Sequence, residues 1–537
     1  MKGQEAAKDR GAREHERIAG RAAIVAAGTL VSRLLGLVRD QVLAAVFSRQ
    51  LTDAFFVAFT IPNLLRQVLG EGAVQSAVLP VLTRTKEQQG DDAARRFFAN
   101  LRGLSLTLLV TVTALGVGFA EPLVWLFAGG FQEIPGQFER TVWLTRWVFP
   151  YILFMGTAAL GVAALNTYRR FTVTAFAPAL LNVAFIGCAL GLPWLLGARY
   201  HAEAALATAV LLGGVLQVLA QWPSLRSIGF AERPRFDFAH PEVREVLRRM
   251  GPVMLGMGVY YVDVLLARRF LSEQGLGAQS YFSWALRLCD FPQGIFVMAL
   301  QTAALPSLSR LASTGDRAEL SRTFAFGVRL TLFAALPATL LAIALAEPVV
   351  VLLFQRGQFD AVSAHETARA LVAQGAGIWL VALSRQLVSL YYAVGDTRTP
   401  VLVAALDLGA FVVAALALAG PLGHVGISAA VSVASGVQAL LLWWWAGRHL
   451  PDRRSAEIFG SFARTLDASV VGAVSAYAVR AALSEAGLGL SLQAILAAIA
   501  GVSGFLGAAF VFRSPELRVV LDPLARRFGR GRGREPR

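Results

Sequence analysis

Charge is what this sequence has least of: 16% of its 537 residues are Asp, Glu, Lys or Arg, against about 25% in ordinary soluble domains. A soluble surface of this length cannot be covered with so little. The 2 cysteines, Cys188 and Cys289, each sit in an apolar run, which excludes a disulfide framework and a cysteine metal site. The 6 histidines show no HExxH or other ligand spacing, and there is no P-loop, GxSxG elbow or Gly-rich dinucleotide fingerprint. No catalytic residue, metal or cofactor is therefore expected. The opening residues MKGQEAAKDRGAREHER have no apolar core ahead of a cleavage site, so no signal peptide is read.

What is abundant is apolar: 56% of the chain. Runs long enough to cross about 30 Å of hydrocarbon number about fourteen, at 22–46, 55–80, 103–128, 142–166, 173–197, 203–223, 250–271, 280–306, 325–354, 368–394, 399–420, 424–447, 459–483 and 489–512. The predicted fold is an all-α polytopic membrane protein. Its net charge of +15 would suggest nucleic acid in a soluble protein, but here the placement of the charges matters. RTKEQQGDDAARR, SLRSIGFAERPRFDFAHPEVREVLRR, GRHLPDRRS and both termini fall on one side and hold most of the 50 Lys and Arg; the opposite connectors hold Arg49, Arg140, Arg199 and Arg356. The positive-inside rule makes the first side cytoplasmic, with both ends inside. Anionic lipid heads are within reach of the basic arm and tail, and no nucleic-acid partner is expected.

A repeat appears at a gapless shift of 226 residues: Gln75–Arg84 reads QSAVLPVLTR, Gln301–Arg310 reads QTAALPSLSR, and AEP at Ala120–Pro122 meets AEP at Ala346–Pro348. The shift carries the second span onto the eighth, so the two halves share one orientation, as in parallel transporter repeats with a site between them. The expected organisation is a basic arm (1–21), a first lobe (22–223), a linker (224–249), a second lobe (250–447), a final pair of spans (459–512) outside the repeat, and a basic tail (513–537).

Four arginines fall at hydrocarbon depth, each costing about 2.5–3.5 kcal/mol at a helix centre. Thr29, Ser32, Arg33, Gly36, Arg39 and Asp40 form one helical stripe in the first span; Asn63, Arg66, Gln67, Gly70 and Glu71 repeat it in the second; Ser283, Arg287, Asp290 and Gly294 do so in the eighth. Two readings stand. The arginines belong to buried ion pairs (Arg39 with Asp40 or Asp53, Arg66 with Glu71, Arg287 with Asp290) or snorkel to an interface, or they line a wet cavity for an anion. A planar, permanently charged fork suits phosphate oxygens. Asp263 and Arg385 are further intramembrane charges, and Arg268 and Arg269 are expected to snorkel.

SRLLGLVRDQVLAAVF, TDAFFVAFTIPNLLRQVLGEGAVQSAVLPVL, FPYILFMGTAALGVAALNTYRRFTVTAFAPALLNV, RLCDFPQGIFVMALQTAALPSLSRLAS and YYAVGDTRTP together resemble the MurJ (MviN) family of bacterial lipid II flippases, over about Ser32 to Pro400. The resemblance implies a MATE-like member of the multidrug/oligosaccharidyl-lipid/polysaccharide exporter superfamily, with two six-helix lobes and two C-terminal helices forming a groove for a polyprenyl tail. It places the family's cavity arginines on Arg33, Arg39, Arg66 and Arg287, and its acidic positions on Asp53, Glu71 and Asp290. Leu286 stands where the family usually has Asp.

The expected function is translocation of lipid II, an undecaprenyl-diphosphate-linked disaccharide-pentapeptide, from the inner to the outer leaflet of the bacterial plasma membrane by alternating access. Arg33, Arg39, Arg66 and Arg287 would hold the diphosphate, Ser32 and Asn63 the head group, and Asp40, Asp53, Glu71 and Asp290 would serve as gating or ion-pair residues. Membrane potential or an ion gradient is the expected drive, and cell-wall synthesis machinery an expected partner. The alternatives are a flippase for another undecaprenyl-diphosphate glycan, a multidrug antiporter, and a non-transporting cell-wall scaffold.

Overall fold

The computed structural model describes residues 2–67, 73–199, 201–237, 240–294, 298–450 and 452–521. Gly70 and Glu71 lie outside the described residues. The chain divides into two compact units, Met1–Leu276 and Gly277–Arg537. The first holds α1 (Lys2–Val46), α2 (Arg49–Arg66), α3 (Ala73–Gln89), α4 (Asp91–Gly118), α5 (Ala120–Ala128), α6 (Gln137–Val148), α7 (Tyr151–Thr167), α8 (Phe171–Leu196), α9 (Ala202–Ser227) and α10 (Pro241–Ser272). The second holds α11 (Ala278–Pro292), α12 (Met298–Thr314), α13 (Arg317–Ala344), α14 (Ala346–Phe354), α15 (Ala361–Gly375), α16 (Ile378–Ala393), α17 (Arg398–Leu422), α18 (His424–Ala446), α19 (Ser455–Glu485) and α20 (Leu490–Val511).

Among the described residues, 10 helical segments are long and apolar enough to cross a membrane. They coincide with ten of the spans read from the sequence. The remaining four, at 22–46, 55–80, 250–271 and 280–306, fall on α1, α2 with α3, α10, and α11 with α12, the helices that carry most of the intramembrane charges.

The internal repeat extends far beyond the two short matches that reveal it. Moved by 226 positions, α4 takes the limits of α13 and α5 those of α14, and α1 ends where α10 ends. The helices from α1 to α9 thus follow in order those from α10 to α18, leaving α19 and α20 outside. Core positions repeat too: Leu82 and Leu308, Val124 and Val350, and Thr141 and Thr367 are all fully buried, as are Phe98 and Phe324 to within 2%. The apolar members of these pairs pack there at the crystal-like density of protein interiors.

The division between the two compact units falls just after α10. Within the first unit, α10 places Val243 and Val246 in the core with Leu82 and Phe97, and Tyr261, Val264 and Leu265 against Phe127 and Phe131. Arg84 pairs with Glu245 on the same seam. So the helix that opens the second repeat belongs, by contact, to the first unit. The linker is strapped there as well: Phe230 is buried between Phe98 (4.9 Å) and Tyr168 (5.1 Å), Arg235 donates its backbone N–H to the Ala99 carbonyl at 2.9 Å, and the Arg102 guanidinium donates to the Glu232 carbonyl at 2.8 Å.

In the second unit α19 and α20 pack on each other and on α13 and α14. Phe505 meets Phe333 at 5.1 Å, and a Cβ on Gly472 would stand 2.7 Å from the Gly501 carbonyl oxygen, the close approach that small residues permit between membrane helices.

Candidate functional site

In the first unit the site is built on α1 against α8. Gly28 makes the approach possible, because a Cβ there would lie 2.5 Å from the Ala175 carbonyl oxygen of α8. Two turns later Gly36 faces Asn182 with ordinary room, 3.8 Å. Asn182 is 5% exposed and bridges the helices: its amide nitrogen donates to the Ser32 carbonyl at 3.0 Å, and its amide oxygen accepts from Arg39 Nη1 at 3.1 Å. A lone amide among apolar side chains has to find such partners.

Arg39 is held on a second side by its neighbour. Its Nε and Nη2 donate to Asp40 Oδ1 at 2.9 and 2.7 Å, and Asp40 is buried. Of the two partners open to Arg39 in the sequence, the structure shows Asp40. The guanidinium also lies 5.6 Å from the Phe185 ring centroid, the favourable geometry for a cation over an aromatic face. Arg33, half-buried one and a half turns earlier on the same stripe, has no hydrogen bond or ion pair among the described residues.

Phe185 connects this pair of helices to α2. It packs on Phe55 at 5.6 Å and Phe59 at 6.3 Å, and Phe59 packs on Tyr151 of α7 at 5.6 Å. Phe55, Phe59, Asn63 and Arg66 follow one another at helical spacing on one face of α2, so Arg66 shares the face that meets the ring under Arg39. Arg66 Nε donates to Asn63 Oδ1 at 2.9 Å. Asp53, in the first turns of α2, is fully buried. The expected partner of Arg66, Glu71, lies outside the described residues.

In the second unit α11 carries Arg287 and Asp290, both exposed, three residues apart on one face, with Leu286 half-buried between Arg287 and the Ala285 core position. Ser283, one turn earlier, is buried and donates to the Gln279 carbonyl at 2.6 Å. Arg385 of α16 is half-buried, and its guanidinium has no partner among the described residues; the same holds for the Asp263 carboxyl of α10. Arg269, near the end of α10, pairs with Glu273 at 3.1 Å and lies directly against Gly129. Arg268 stands 6.0 Å from the Phe56 ring.

Two contributors escape the sequence reading, Asn182 and Phe185. Asn182 had a signal, an amide inside LLNVAF at bilayer depth; Phe185 had none, since Phe is ordinary there.

These site residues fall within or just before a long family match. The family described as Lipid II flippase MurJ matches residues 43–497. A lipid II flippase MurJ of Burkholderia cenocepacia is 36% identical over 423 residues, covering 77% of this chain and 81% of its own. A probable lipid II flippase MurJ of Bdellovibrio bacteriovorus is 32% identical over 502 residues, 93% and 95% of the two chains. Among solved structures, a lipid II flippase MurJ in an inward closed conformation aligns with TM-score 0.76 at 21% identity over 91% of this chain and 98% of its own. An inward-facing MATE transporter of the MOP superfamily aligns with TM-score 0.65 at 14% identity over 79% and 96%. With so many apolar spans and near end-to-end matches to curated relatives, the polar stripes on α1, α2 and α11 are those of a multi-pass membrane protein that belongs to the lipid II flippase MurJ family.

Proposed function

We propose that this protein moves lipid II from the inner to the outer leaflet of the bacterial plasma membrane by alternating access, and that Arg33, Arg39, Arg66 and Arg287 take its diphosphate. One observation carries the arginine assignment: on α1 a guanidinium fixed by Asp40 and Asn182 stands beside one, Arg33, with no hydrogen-bond or ion-pair partner among the described residues. A pair made only for structure leaves no half-buried arginine unsatisfied at bilayer depth. Arg39 then supplies an oriented fork and Arg33 an open one, and a diphosphate has oxygens for both. Ser32 and Asn63 are placed for the sugar-peptide head, while Asp40, Asp53, Glu71 and Asp290 hold and release the arginines between states. The polyprenyl tail stays in lipid along α19 and α20.

Both termini lie in the cytoplasm in this reading, by the positive-inside rule. Membrane potential drives the cycle, because an inside-negative potential returns an empty cationic carrier inward at about 2.3 kcal/mol per charge per 100 mV. Cell-wall synthesis machinery receives the product. The test replaces Arg33, Arg39, Arg66 and Arg287 singly by Ala in a flippase-depleted cell at matched membrane abundance. Loss of rescue with accumulated lipid II is the expected result; four rescuing variants remove the arginines from the mechanism, and accumulation of another undecaprenyl-diphosphate glycan reassigns the substrate.

A further inference from the structure

The internal repeat allows one place in the second unit to be compared with its own counterpart in the first. On the arginine-rich side of the first unit, the end of α7 is plugged by Tyr168. Its ring packs on Phe230 at 5.1 Å, Lys86 Nζ sits 3.7 Å above it, and its hydroxyl donates to Asp91 Oδ1 at 2.6 Å. At the same shift of 226 residues, Tyr168 becomes Val394, Lys86 becomes Ala312 and Asp91 becomes Arg317. The first two changes remove bulk, Lys86 taking its charge with it, and the third puts a base where the first unit has an acid.

The result in the second unit is a cavity of about 540 Å³ lined by Ala312, Arg317, Val394, Gly395, Arg448 and His449, among others, within the range of about 300–1,000 Å³ typical of small-ligand sites. Among the described residues no carboxylate lines it. Arg317 and Arg448 are exposed, and neither has a carboxylate partner among the described residues; Arg448 is steadied over the Trp445 ring at 5.4 Å. The two acids nearest in sequence are committed elsewhere. Asp316 accepts from the Glu319 backbone N–H at 3.0 Å, capping α13; Asp396 accepts from the Thr399 N–H at 3.0 Å, capping α17, and from His449 at 2.9 Å. Both helix starts are therefore already satisfied, and the free donors of the cavity are its arginine side chains.

The geometry points to a second anion site, in this cavity, for a phosphate or diphosphate group, with Arg317 and Arg448 as its ligands. The phosphate can come from a soluble anion or from an anionic lipid head at the membrane surface, and the chemistry of recognition is shared.

The full-length protein in phosphatidylcholine nanodiscs, followed by amide hydrogen exchange, gives a readout confined to this place and separate from Arg33, Arg39, Arg66 and Arg287. One arm adds inorganic pyrophosphate; the other replaces part of the lipid with phosphatidylglycerol. Exchange in segments 311–320 and 393–399 should slow in at least one arm, and which arm responds identifies the source. In Arg317→Ala/Arg448→Ala the half-saturation concentration should rise about tenfold or more, the loss expected for charge-assisted contacts. Val394→Tyr keeps both arginines and restores the plug of the first unit, so it should abolish the protection while general charge attraction remains. No protection in either arm overturns the site, as does protection that survives both variants.

Discussion

Asn182 ties Arg39 of α1 to the backbone of Ser32 on the same helix, accepting from one at 3.1 Å and donating to the other at 3.0 Å. It acts on the arginine without being charged itself. Removing it leaves Arg39 hydrogen-bonded to Asp40 alone. A hydrogen bond to a charged group contributes about 1.5–3 kcal/mol, and each 1.4 kcal/mol is about tenfold. Asn182→Leu should therefore slow flipping in proteoliposomes by about tenfold or more at matched protein amount, with Asn182→Gln less affected. Equal rates for wild type and Asn182→Leu would remove Asn182 from the site.

Gly28 and Gly36 lie on the same face of α1 and should respond oppositely to the same change. A methyl at Gly28 meets the Ala175 carbonyl of α8 at 2.5 Å, while at Gly36 the nearest atom is the Asn182 amide nitrogen at 3.8 Å. Overpacking costs about 1–3 kcal/mol. Gly28→Ala should lower the melting temperature measured in detergent, and Gly36→Ala should leave it within error; a reversed order would mean that α1 does not rest on α8 along this line.

The contrast between these glycines and Asn182 also shows what the sequence could tell. The polar stripes on α1, α2 and α11 were legible because charge at bilayer depth is rare and helical spacing is regular. The repeat was legible from two short matches, since proline and identical polar ends survive where Leu and Ala exchange freely. The choice of Asp40 over Asp53 for Arg39 was not, because adjacent and distant carboxylates look alike on paper. Nor was the packing of α10 on α3, α4 and α5: the hydropathy of 250–271 specifies a span and says nothing about its neighbours. Phe185 contributes through a ring contact that no local pattern encodes.

Arg329 of α13 and Glu516 illustrate a different kind of anchor. Glu516 is 1% exposed, with Arg329 Nη2 at 2.6 Å and the Ser461 hydroxyl at 2.9 Å, so it joins the segment after α20 to α13 and α19. Burial alone would raise its carboxyl, but the bonds from its own backbone, Arg329 and Ser461 hold it below the ordinary value. Breaking a buried pair from one side costs about 3–5 kcal/mol. Glu516→Ala should destabilise by up to that order in thermal unfolding, since Glu457 still faces Arg329 at 3.7 Å, whereas Glu516→Leu with Arg329→Met, which leaves Glu457 to Arg454 at 3.1 Å, should recover most of the loss. A double variant as unstable as the single would show that the pair's charge, rather than its satisfaction, is what holds the segment.

Asp396, in the loop between α16 and α17, gives a pH dependence with a definite sign. Partial burial opposes its ionisation, but donors from Thr399 and His449 outweigh it and lower the carboxyl to about 2. A carboxyl depressed on folding stabilises the folded state above its unfolded value of about 3.9, and that contribution fades as pH falls toward the folded value. Asp396→Asn should therefore melt below wild type at neutral pH, with the gap closing between about pH 4 and pH 2. A gap that stays constant across that window would mean that the cap, not the charge, accounts for the difference.

Arg33 and Arg39 should differ in how they couple transport to voltage. Arg39 travels with Asp40, which accepts from it at 2.7 Å, so the pair carries little net charge; Arg33 has no such partner among the described residues. An inside-negative potential favours the inward return of an empty carrier by about 2.3 kcal/mol for each net charge crossing 100 mV, which is up to about 40-fold in rate. In proteoliposomes with a potassium-diffusion potential, the wild-type flipping rate should therefore rise with inside-negative voltage, and Arg33→Ala should flatten that slope. Arg39→Ala with Asp40→Ala removes a cation and an anion together and should lower the rate while leaving the slope in place. If all three share one voltage dependence, resetting of the empty cavity is not the step on which the potential acts, and the charge that senses it lies elsewhere in the chain.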